Sequence, residues 1–222
     1  MLAPYFFLFI LGLSVTVANA RNTKRGLAYP NEPAHMRDIS KAYGTSISWT
    51  YNWAVDPLAA IPQGIEPVPM QWGVQGVESF RNLVVQKGYK TILGFNEPDL
   101  QSKSNISPSQ AATLWETHIQ PLKQQGIRLG SPAISSAPAP AGKAWLRAFL
   151  DQCRSCDIDF IAVHWYGEGA QNFINYLNDV HVTFPGYLIW VTEFGCTSGN
   201  DNGEHTPLHP PPSTRRGEMT WW

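Results

Sequence analysis

The sequence has little net charge and few charged side chains. Lys and Arg number 16 against 17 Asp and Glu, the formal net charge is -1, and only 15% of the 222 residues are charged. A chain without an excess of either sign has no field that would draw it to nucleic acid or to anionic lipid. We therefore expect no nucleic-acid partner and look for an uncharged ligand.

Long apolar stretches are also scarce. After the N-terminus, no segment approaches the ~20 consecutive apolar residues that a membrane-spanning helix needs. Residues 1–20 contain an apolar run from Tyr5 to Leu13 and then Ala18-Asn19-Ala20, which is typical of a secretory signal peptide and its cleavage site. The absence of Lys and Arg before that run leaves an uncleaved signal anchor as an alternative. We expect a secreted protein, extracellular or in the cell wall, with no membrane contact after cleavage.

Cysteine occurs only three times. Cys153 and Cys156 are three residues apart near the end of a helical stretch, a spacing that brings their α-carbons within disulfide range. A zinc site is the alternative, but a single CxxC without a second ligand pair lacks the four ligands of a structural site. The sequence therefore predicts a disulfide, no metal and no cofactor.

Short β-rich runs alternate with longer segments of helical period. Such alternation predicts βα units around a parallel sheet. The predicted strands are Gly26 to Pro30, Ser46 to Trp53, Ile65 to Trp72, Thr91 to Asn96, Arg128 to Ala133, Phe160 to Tyr166 and Leu188 to Phe194. The predicted helices are Val77 to Lys87, Pro108 to Gln125, Lys143 to Gln152 and Gln171 to Val182.

Seven βα-like units predict an α/β fold of the (β/α)8 TIM-barrel type, cut short before its eighth βα unit. No glycine-rich phosphate loop follows the first strand, which argues against a doubly wound sheet. The catalytic barrel is expected over residues 21–196. Residues 197–222 are expected to form an irregular tail, because the four prolines within 206–212 cannot donate ladder hydrogen bonds. An error in the recorded C-terminal sequence is a further alternative.

Two acidic side chains stand at predicted strand ends. Glu97 follows the fourth strand directly before Pro98, and Glu193 ends the apolar seventh strand. Carboxyl ends of barrel strands form the active-site face, so the two acids are expected to face each other across its mouth. Two facing carboxylates are the chemical requirement for hydrolysis of a glycosidic bond. A surface acid or a satisfied ion pair is the alternative for either residue alone.

Polar and aromatic side chains are expected to surround these acids. Period-two alternation in the sixth strand puts His164 and Tyr166 on the interior face, where they could orient Glu193 or bind sugar hydroxyls. Trp49 and Trp72 are interpreted as stacking platforms for sugar rings. The alternatives are a core histidine for His164 and core packing for each aromatic ring. Three other tryptophans are expected to pack against helices: Trp115, Trp145 and Trp190.

The motifs together resemble one family. Asn96-Glu97-Pro98 and the run from Trp190 to Gly195 resemble the signature of clan A retaining glycosidases, which are barrels. With the run from Phe160 to Gly167, the chain resembles fungal members of glycoside hydrolase family 128 over about residues 24 to 196. Family members of this kind act on β-1,3-glucan.

The resemblance implies roles for individual residues. Glu97 would be the acid/base and Glu193 the nucleophile of a double displacement, and Asn96 would contact the sugar 2-hydroxyl. A turn-stabilising side chain before proline is the alternative for Asn96. We expect a monomeric β-glucan hydrolase with an N-glycosylation candidate at Asn105, which the following Pro108 weakens. A non-catalytic glucan-binding or cell-wall protein on the same scaffold is the alternative function.

Overall fold

The computed structural model describes residues 24–29, 38–56 and 61–197. The predicted signal peptide and all of the predicted tail except Thr197 lie outside these ranges. None of the helices within them has the length and apolar character of a membrane span. The rest of this section concerns the described residues.

Seven parallel strands follow one another in space in chain order. They are β1 (Gly26–Ala28), β2 (Trp49–Tyr51), β3 (Glu66–Pro67), β4 (Thr91–Ile92), β5 (Arg128–Leu129), β6 (Phe160–Gly167) and β7 (Leu188–Cys196). The ladders join β1 to β2, β2 to β3, β4 to β5 and β6 to β7. These ladders form three sheets, β1-β2-β3, β4-β5 and β6-β7. Isolated parallel bridges connect them, Met70 to Leu93 between the first and second and Gly130 to Phe160 between the second and third. Each predicted strand thus overlaps an observed strand, and β6 and β7 extend one and two residues beyond their predicted ends.

The first five strands are shorter than predicted. Pro67 and Pro69 interrupt the third predicted strand, and Pro132 interrupts the fifth. Proline has no N–H to give to a ladder, so continuous pairing there is reduced to isolated bridges. Strands β6 and β7 contain no proline and form the longest ladder of the molecule's described part.

Four α-helices connect the strands, and they are α1 (Val77–Lys87), α2 (Pro108–Leu114), α3 (Gly142–Gln152) and α4 (Ala170–Thr183). The sequence predicts one helix from Pro108 to Gln125, but α2 continues as a π-helical turn at Trp115–Ile119 and a 3-10 helix at Gln120–Gln125. Pro121 explains the change, since it cannot donate the next α-helical hydrogen bond. Ser107 caps the start of α2, because its side chain accepts from the backbone N–H of Gln110.

Buried apolar side chains form two main clusters. The inner cluster is formed by side chains in or just after the strands, and the outer layer lies between the strands and the helices. The inner cluster consists of Trp49, Tyr51, Val68, Met70, Leu93, Ala133, Phe160, Ala162 and Trp190. Ile161 and Val163 belong to the outer layer with the helices, whereas Ala162 faces inward. The two faces predicted for β6 are therefore confirmed.

The tryptophans expected to pack against helices divide between the layers. Trp115 and Trp145 pack on Phe149 of α3, with ring centroids 5.6 and 5.7 Å away. Trp190 instead stacks inside the strands, 4.1 Å from Phe160. The prediction for Trp190 was wrong because its position in β7 alternates with the helix-facing Ile189 and Val191.

Two predicted surface features lie in the described part. Cys153 and Cys156 form a disulfide just after α3, with α-carbons 5.3 Å apart. Asn105 is exposed in the loop before α2, with a positive φ of 47°. Its glycosylation stays a prediction.

Candidate active site

Glu97 lies where the chain leaves the fourth strand. Its backbone N–H still donates to the carbonyl of Ala133 on the neighbouring strand segment, at 2.8 Å. Its φ of 40° is left-handed, which costs a residue with a side chain about 1–3 kcal/mol. The strained turn aims the side chain inward, and the residue is only 4% exposed. Pro98 then prevents the strand from continuing.

Glu193 is brought to the same place by an irregularity in the longest ladder. The register of β6 and β7 shifts between Val163 and His164, so that His164 pairs with Glu193 instead of Thr192. A β-bulge of this kind redirects side chains at the end of a strand. One carboxylate oxygen of Glu97, one of Glu193 and a ring nitrogen of His164 all lie within 4.8 Å of one another.

His164 stands between the two acids and is fully buried, with 0% exposure. Its Nδ1 hydrogen-bonds Oε1 of Glu97 at 3.0 Å, and its Nε2 lies 3.4 Å from Oε1 of Glu193. A core histidine would use a backbone group as its partner. The ring of His164 instead bonds the carboxylate of Glu97 through Nδ1, while Nε2 lies near Glu193 without a hydrogen bond, so His164 belongs to the site.

Three further donors point at Glu193. Oε1 accepts from the indole N–H of Trp53 at 2.7 Å and from the hydroxyl of Tyr51 at 3.3 Å. Oε2 accepts from the hydroxyl of Tyr166 at 2.9 Å. Burial, together with the charge of Glu193, raises the pKa of both tyrosines above the ordinary value. Both hydroxyls therefore remain protonated and able to donate to Glu193.

Each carboxylate oxygen of Glu97 has a basic side chain beside it. Lys103 Nζ lies 3.3 Å from Oε2, opposite the His164 contact on Oε1. Burial alone would raise the pKa of Glu97, but the hydrogen bond and charge of His164, together with Lys103, lower it below its ordinary value. In the ligand-free protein, Glu97 is held as a carboxylate.

Two predicted binding residues, Asn96 and Tyr166, lie beside the acids. Asn96 is buried, and its Oδ1 has no hydrogen-bond partner among the described residues. Its backbone N–H donates to the carbonyl of Trp72, whose residue is 41% exposed. Tyr166 is also exposed at the end of β6. These positions are compatible with contact to a ligand.

The platform role predicted for Trp49 is wrong. Trp49 is 4% exposed and belongs to the inner cluster, where its ring packs at a tilt with its centroid 4.9 Å from that of Trp190. A ring covered on this scale has no free face for a sugar. Alternation along β2 fixed which side Trp49 faces but could not tell the mouth of the strand ring from its interior.

The residues that the sequence did not single out are Tyr51, Trp53 and Lys103. Tyr51 and Trp53 follow Trp49 at two-residue intervals, so the alternation of side chains along the strand could have indicated them. Trp53 has a positive φ of 58° just after β2, which turns its indole toward Glu193. Lys103 lies in an irregular loop, where no period predicts a contact.

A cavity of about 280 Å³ opens beside Glu193. Its wall consists of Gly26 to Ala28 of β1, Val191 to Phe194 of β7, and the side chains of Trp49, Trp53 and Tyr166. A volume of this order accommodates a small organic group such as a sugar ring, and the aromatic wall with few polar groups is typical of ligand sites.

The acids and His164 could each present one ligand atom to a metal ion. Their oxygens, however, already accept from Trp53, Tyr51 and Tyr166 or face the ammonium of Lys103. Donors aimed at the lone pairs compete with a cation for them. The donor set fits proton transfer and charge stabilisation better than metal coordination.

Comparison with known proteins identifies relatives of this chain. The family model of the glycosyl hydrolase catalytic core matches residues 26–209. The alkali-sensitive linkage protein 1 of Schizosaccharomyces pombe is 37% identical over 183 residues, which is 81% of this chain and 32% of that protein. The chain therefore spans about a third of the length of this curated relative.

Solved structures of glycoside hydrolase family 128 share the fold. A curdlan-specific exo-β-1,3-glucanase of subgroup III from Blastomyces gilchristii is 38% identical with a TM-score of 0.72, over 82% of this chain and 79% of that chain. A subgroup VII oligosaccharide-binding protein from Trichoderma gamsii is 26% identical with a TM-score of 0.61, over 80% of this chain and 68% of that one. The resemblance predicted from the strand-end motifs is confirmed, and the chain belongs to glycoside hydrolase family 128.

Proposed function

We propose that this chain hydrolyses β-1,3-glucan by double displacement, with Glu97 as acid/base and Glu193 as nucleophile. The observation that carries the proposal is the approach of the two carboxylates, which have an oxygen each within 4.8 Å of the other. Retaining glycosidases hold their carboxyl groups roughly 5 to 5.5 Å apart, whereas inverting enzymes leave about 6.5–9.5 Å for a water. The short separation favours retention.

The first chemical step breaks the glycosidic bond. An oxygen of Glu193 attacks the anomeric carbon while Glu97 gives its proton to the departing glycosidic oxygen, so a covalent glycosyl-enzyme and a free sugar hydroxyl form. In the second step, Glu97 takes a proton from water, and the resulting hydroxide attacks the anomeric carbon. The bond to Glu193 breaks, Glu193 leaves as a carboxylate, and Glu97 is again protonated for the next cycle.

The neighbours of the acids have supporting roles in this chemistry. Trp53, Tyr51 and Tyr166 stabilise the charge on Glu193 before attack and after its release. The unsatisfied Oδ1 of Asn96 supports a contact with a sugar hydroxyl, for which we propose the 2-hydroxyl. The exposed ring of Trp72 supports stacking on a glucose unit.

The proposal extends to the fold, the cellular location and the oligomeric state of the protein. The chain-order series of seven parallel strands supports a (β/α)8-type barrel with its active site at the carboxyl ends. The apolar N-terminal run and the disulfide support secretion to the cell surface or wall. We propose that the mature protein acts as a monomer.

Replacement of the nucleophile tests the catalytic proposal. Glu193→Gln removes the attacking carboxylate at nearly constant volume, so release of reducing ends from a laminarin-type glucan should fall at least about a thousandfold. Binding to insoluble glucan should survive. The matched control is Glu78→Gln, an exposed position in the first turn of α1, which should act as the wild type does. Unchanged release by Glu193→Gln would overturn the assignment.

A glucan-binding function without turnover is the second candidate. The structural similarity to the Trichoderma gamsii oligosaccharide-binding protein favours it, because one family scaffold occurs with that role. Sedimentation of the wild-type protein with insoluble β-1,3-glucan, without any soluble sugar released, would support binding alone. Release of soluble sugar that depends on Glu193 would exclude it.

A further inference from the structure

The two oxygens of Glu97 have different surroundings. Oε1 contacts His164, which is fully buried, and Oε2 contacts Lys103, which is 46% exposed at its side chain. A ligand that arrives from solvent can therefore reach Oε2 but finds Oε1 covered by protein. The proton that the proposed mechanism delivers to the glycosidic oxygen has to leave from Oε2, where Lys103 now lies.

Local hydrogen bonds hold the Lys103 loop over the acid. The backbone N–H of Leu100 donates to the Glu97 carbonyl, and that of Lys103 donates to Leu100, both at 3.1 Å. Ser104 Oγ then donates to the Asn96 carbonyl at 2.7 Å. The loop thus turns back on the residue before the acid, while the long Lys103 side chain stays half exposed and can move without unfolding it.

We propose that Lys103 is a positioning residue for the acid/base, which pairs with Oε2 of Glu97 in the free protein and gives way to the leaving-group oxygen when a glucan binds. This inference rests on the proposed function for its ligand. It deepens that function by giving Glu97 two environments, one for each chemical step.

The charges around Glu97 give the direction of the effect. His164 and Lys103 favour its ionised form, while Glu193 and the hydroxyls of Tyr51 and Tyr166 face it from the other strands. Burial opposes ionisation, and withdrawal of Lys103 leaves only His164 to counter it, so the pKa of Glu97 rises and the group becomes a better acid. Once the leaving sugar departs, Lys103 returns, the pKa falls, and Glu97 becomes the base that activates water.

A stabilising surface ion pair is the competing explanation for this contact. A pair with one half-exposed partner contributes little to stability, so a melting temperature cannot separate the two accounts. The ionisation of Glu97 does separate them, since a loop-fixing contact has no reason to change with ligand.

The test is a pH titration of the Glu97 carboxyl by ¹³C NMR, with the signal assigned by its loss in Glu97→Gln. In the ligand-free protein, Lys103→Met should move the pKa of Glu97 upward, and Lys103→Arg should restore it toward the wild-type value. Lys87→Met is the matched control, because Lys87 is also 46% exposed and pairs with Asp56 outside the site. Identical titrations of wild type and Lys103→Met would overturn the proposal.

The second arm adds a β-1,3-linked glucose trimer in a Glu193→Gln background, which removes the proposed nucleophile. Trimer should raise the pKa of Glu97 when Lys103 is present and raise it less when Lys103 is replaced by Met. An equal shift with and without Lys103 would contradict displacement. Failure of the trimer to bind would count against the proposed function instead, and the ligand-free titration would still show whether Lys103 lowers the pKa of Glu97.

Discussion

Single side chains supply the hydrogen bonds to the proposed nucleophile. One carboxylate oxygen of Glu193 accepts hydrogen bonds from Trp53 and Tyr51, and the other accepts one from Tyr166. A hydrogen bond to an ionised group is worth about 1.5–3 kcal/mol, roughly twice a neutral one. These donors are already in place before substrate binds, so the protein does not have to reorganise when charge returns to Glu193.

Trp53→Phe should reduce catalysis with little effect on folding. The substitution keeps an aromatic ring but removes the N–H that donates to Oε1 of Glu193 at 2.7 Å. Loss of a bond of that strength predicts a fall in kcat/KM of about tenfold to a hundredfold, measured by reducing-end release.

Trp145→Phe provides the opposite comparison. Its indole N–H donates to the Ile106 carbonyl at 2.9 Å inside the helix layer, away from both acids. That variant should lose thermal stability and retain kcat/KM. Equal kinetic losses in the two variants would mean that the Trp53 bond has no special relation to catalysis.

Sequence reasoning located some site residues and missed others for physical reasons. Glu97 directly precedes Pro98, Glu193 lies near the carboxyl end of an apolar strand, and period-two alternation places His164 on their side of the strand. Lys103 reaches the site through a loop whose turns depend on contacts with Asn96 and Glu97, so no local period predicts it. Trp49 was misassigned because alternation gives the face of a strand but not its depth.

At the scale of elements, Asp99 connects the loop that follows Glu97 to the start of α3 through hydrogen bonds. Its carboxylate accepts from the backbone N–H of Gly142 at 2.9 Å, at the first residue of the helix, and from both the N–H and the hydroxyl of Ser135. Ala141, the residue at the N-cap, supplies no side-chain cap. Gly142 has a φ of 53°, and a Cβ there would lie 2.3 Å from the Ala137 carbonyl oxygen, so the sharp entry requires glycine.

Asp99→Ala should therefore destabilise the fold. It leaves the helix N-terminus and the Ser135 N–H without their acceptor, which predicts a loss of about 1.5–3 kcal/mol in the free energy of unfolding, measured by denaturant titration. Asp151→Ala, at an exposed position in the last turn of α3, should change it by less than about 0.5 kcal/mol. Similar values for the two variants would contradict this role of Asp99.

Helices with strong local signals were predicted best. The bounds of α1 match the prediction, since glycines flank it at both ends. The break after α2 and the bulge at Val163 and His164 were not predicted. Both features depend on packing against neighbouring strands and helices. The periodicity of apolar residues along the sequence carries no information about that packing.

At the scale of the whole molecule, the site joins segments far apart in sequence. Tyr51 on β2 donates to the Thr192 carbonyl on β7, 141 residues away, and to Glu193 beside it. The acids come from the ends of the fourth and seventh strands, and His164 comes from the sixth. Only the series of parallel strands brings these ends together, so a piece of this chain with fewer strands should lack the site.

The most direct test of the central claim is the configuration of the product at the moment of release. Proton NMR of a freshly started digest of β-1,3-glucan should show the β-anomer of the new reducing end first, with the α-anomer growing only by mutarotation. That order is what attack by Glu193, followed by water, predicts. Release of the α-anomer first would mean a single inverting displacement and would contradict the account.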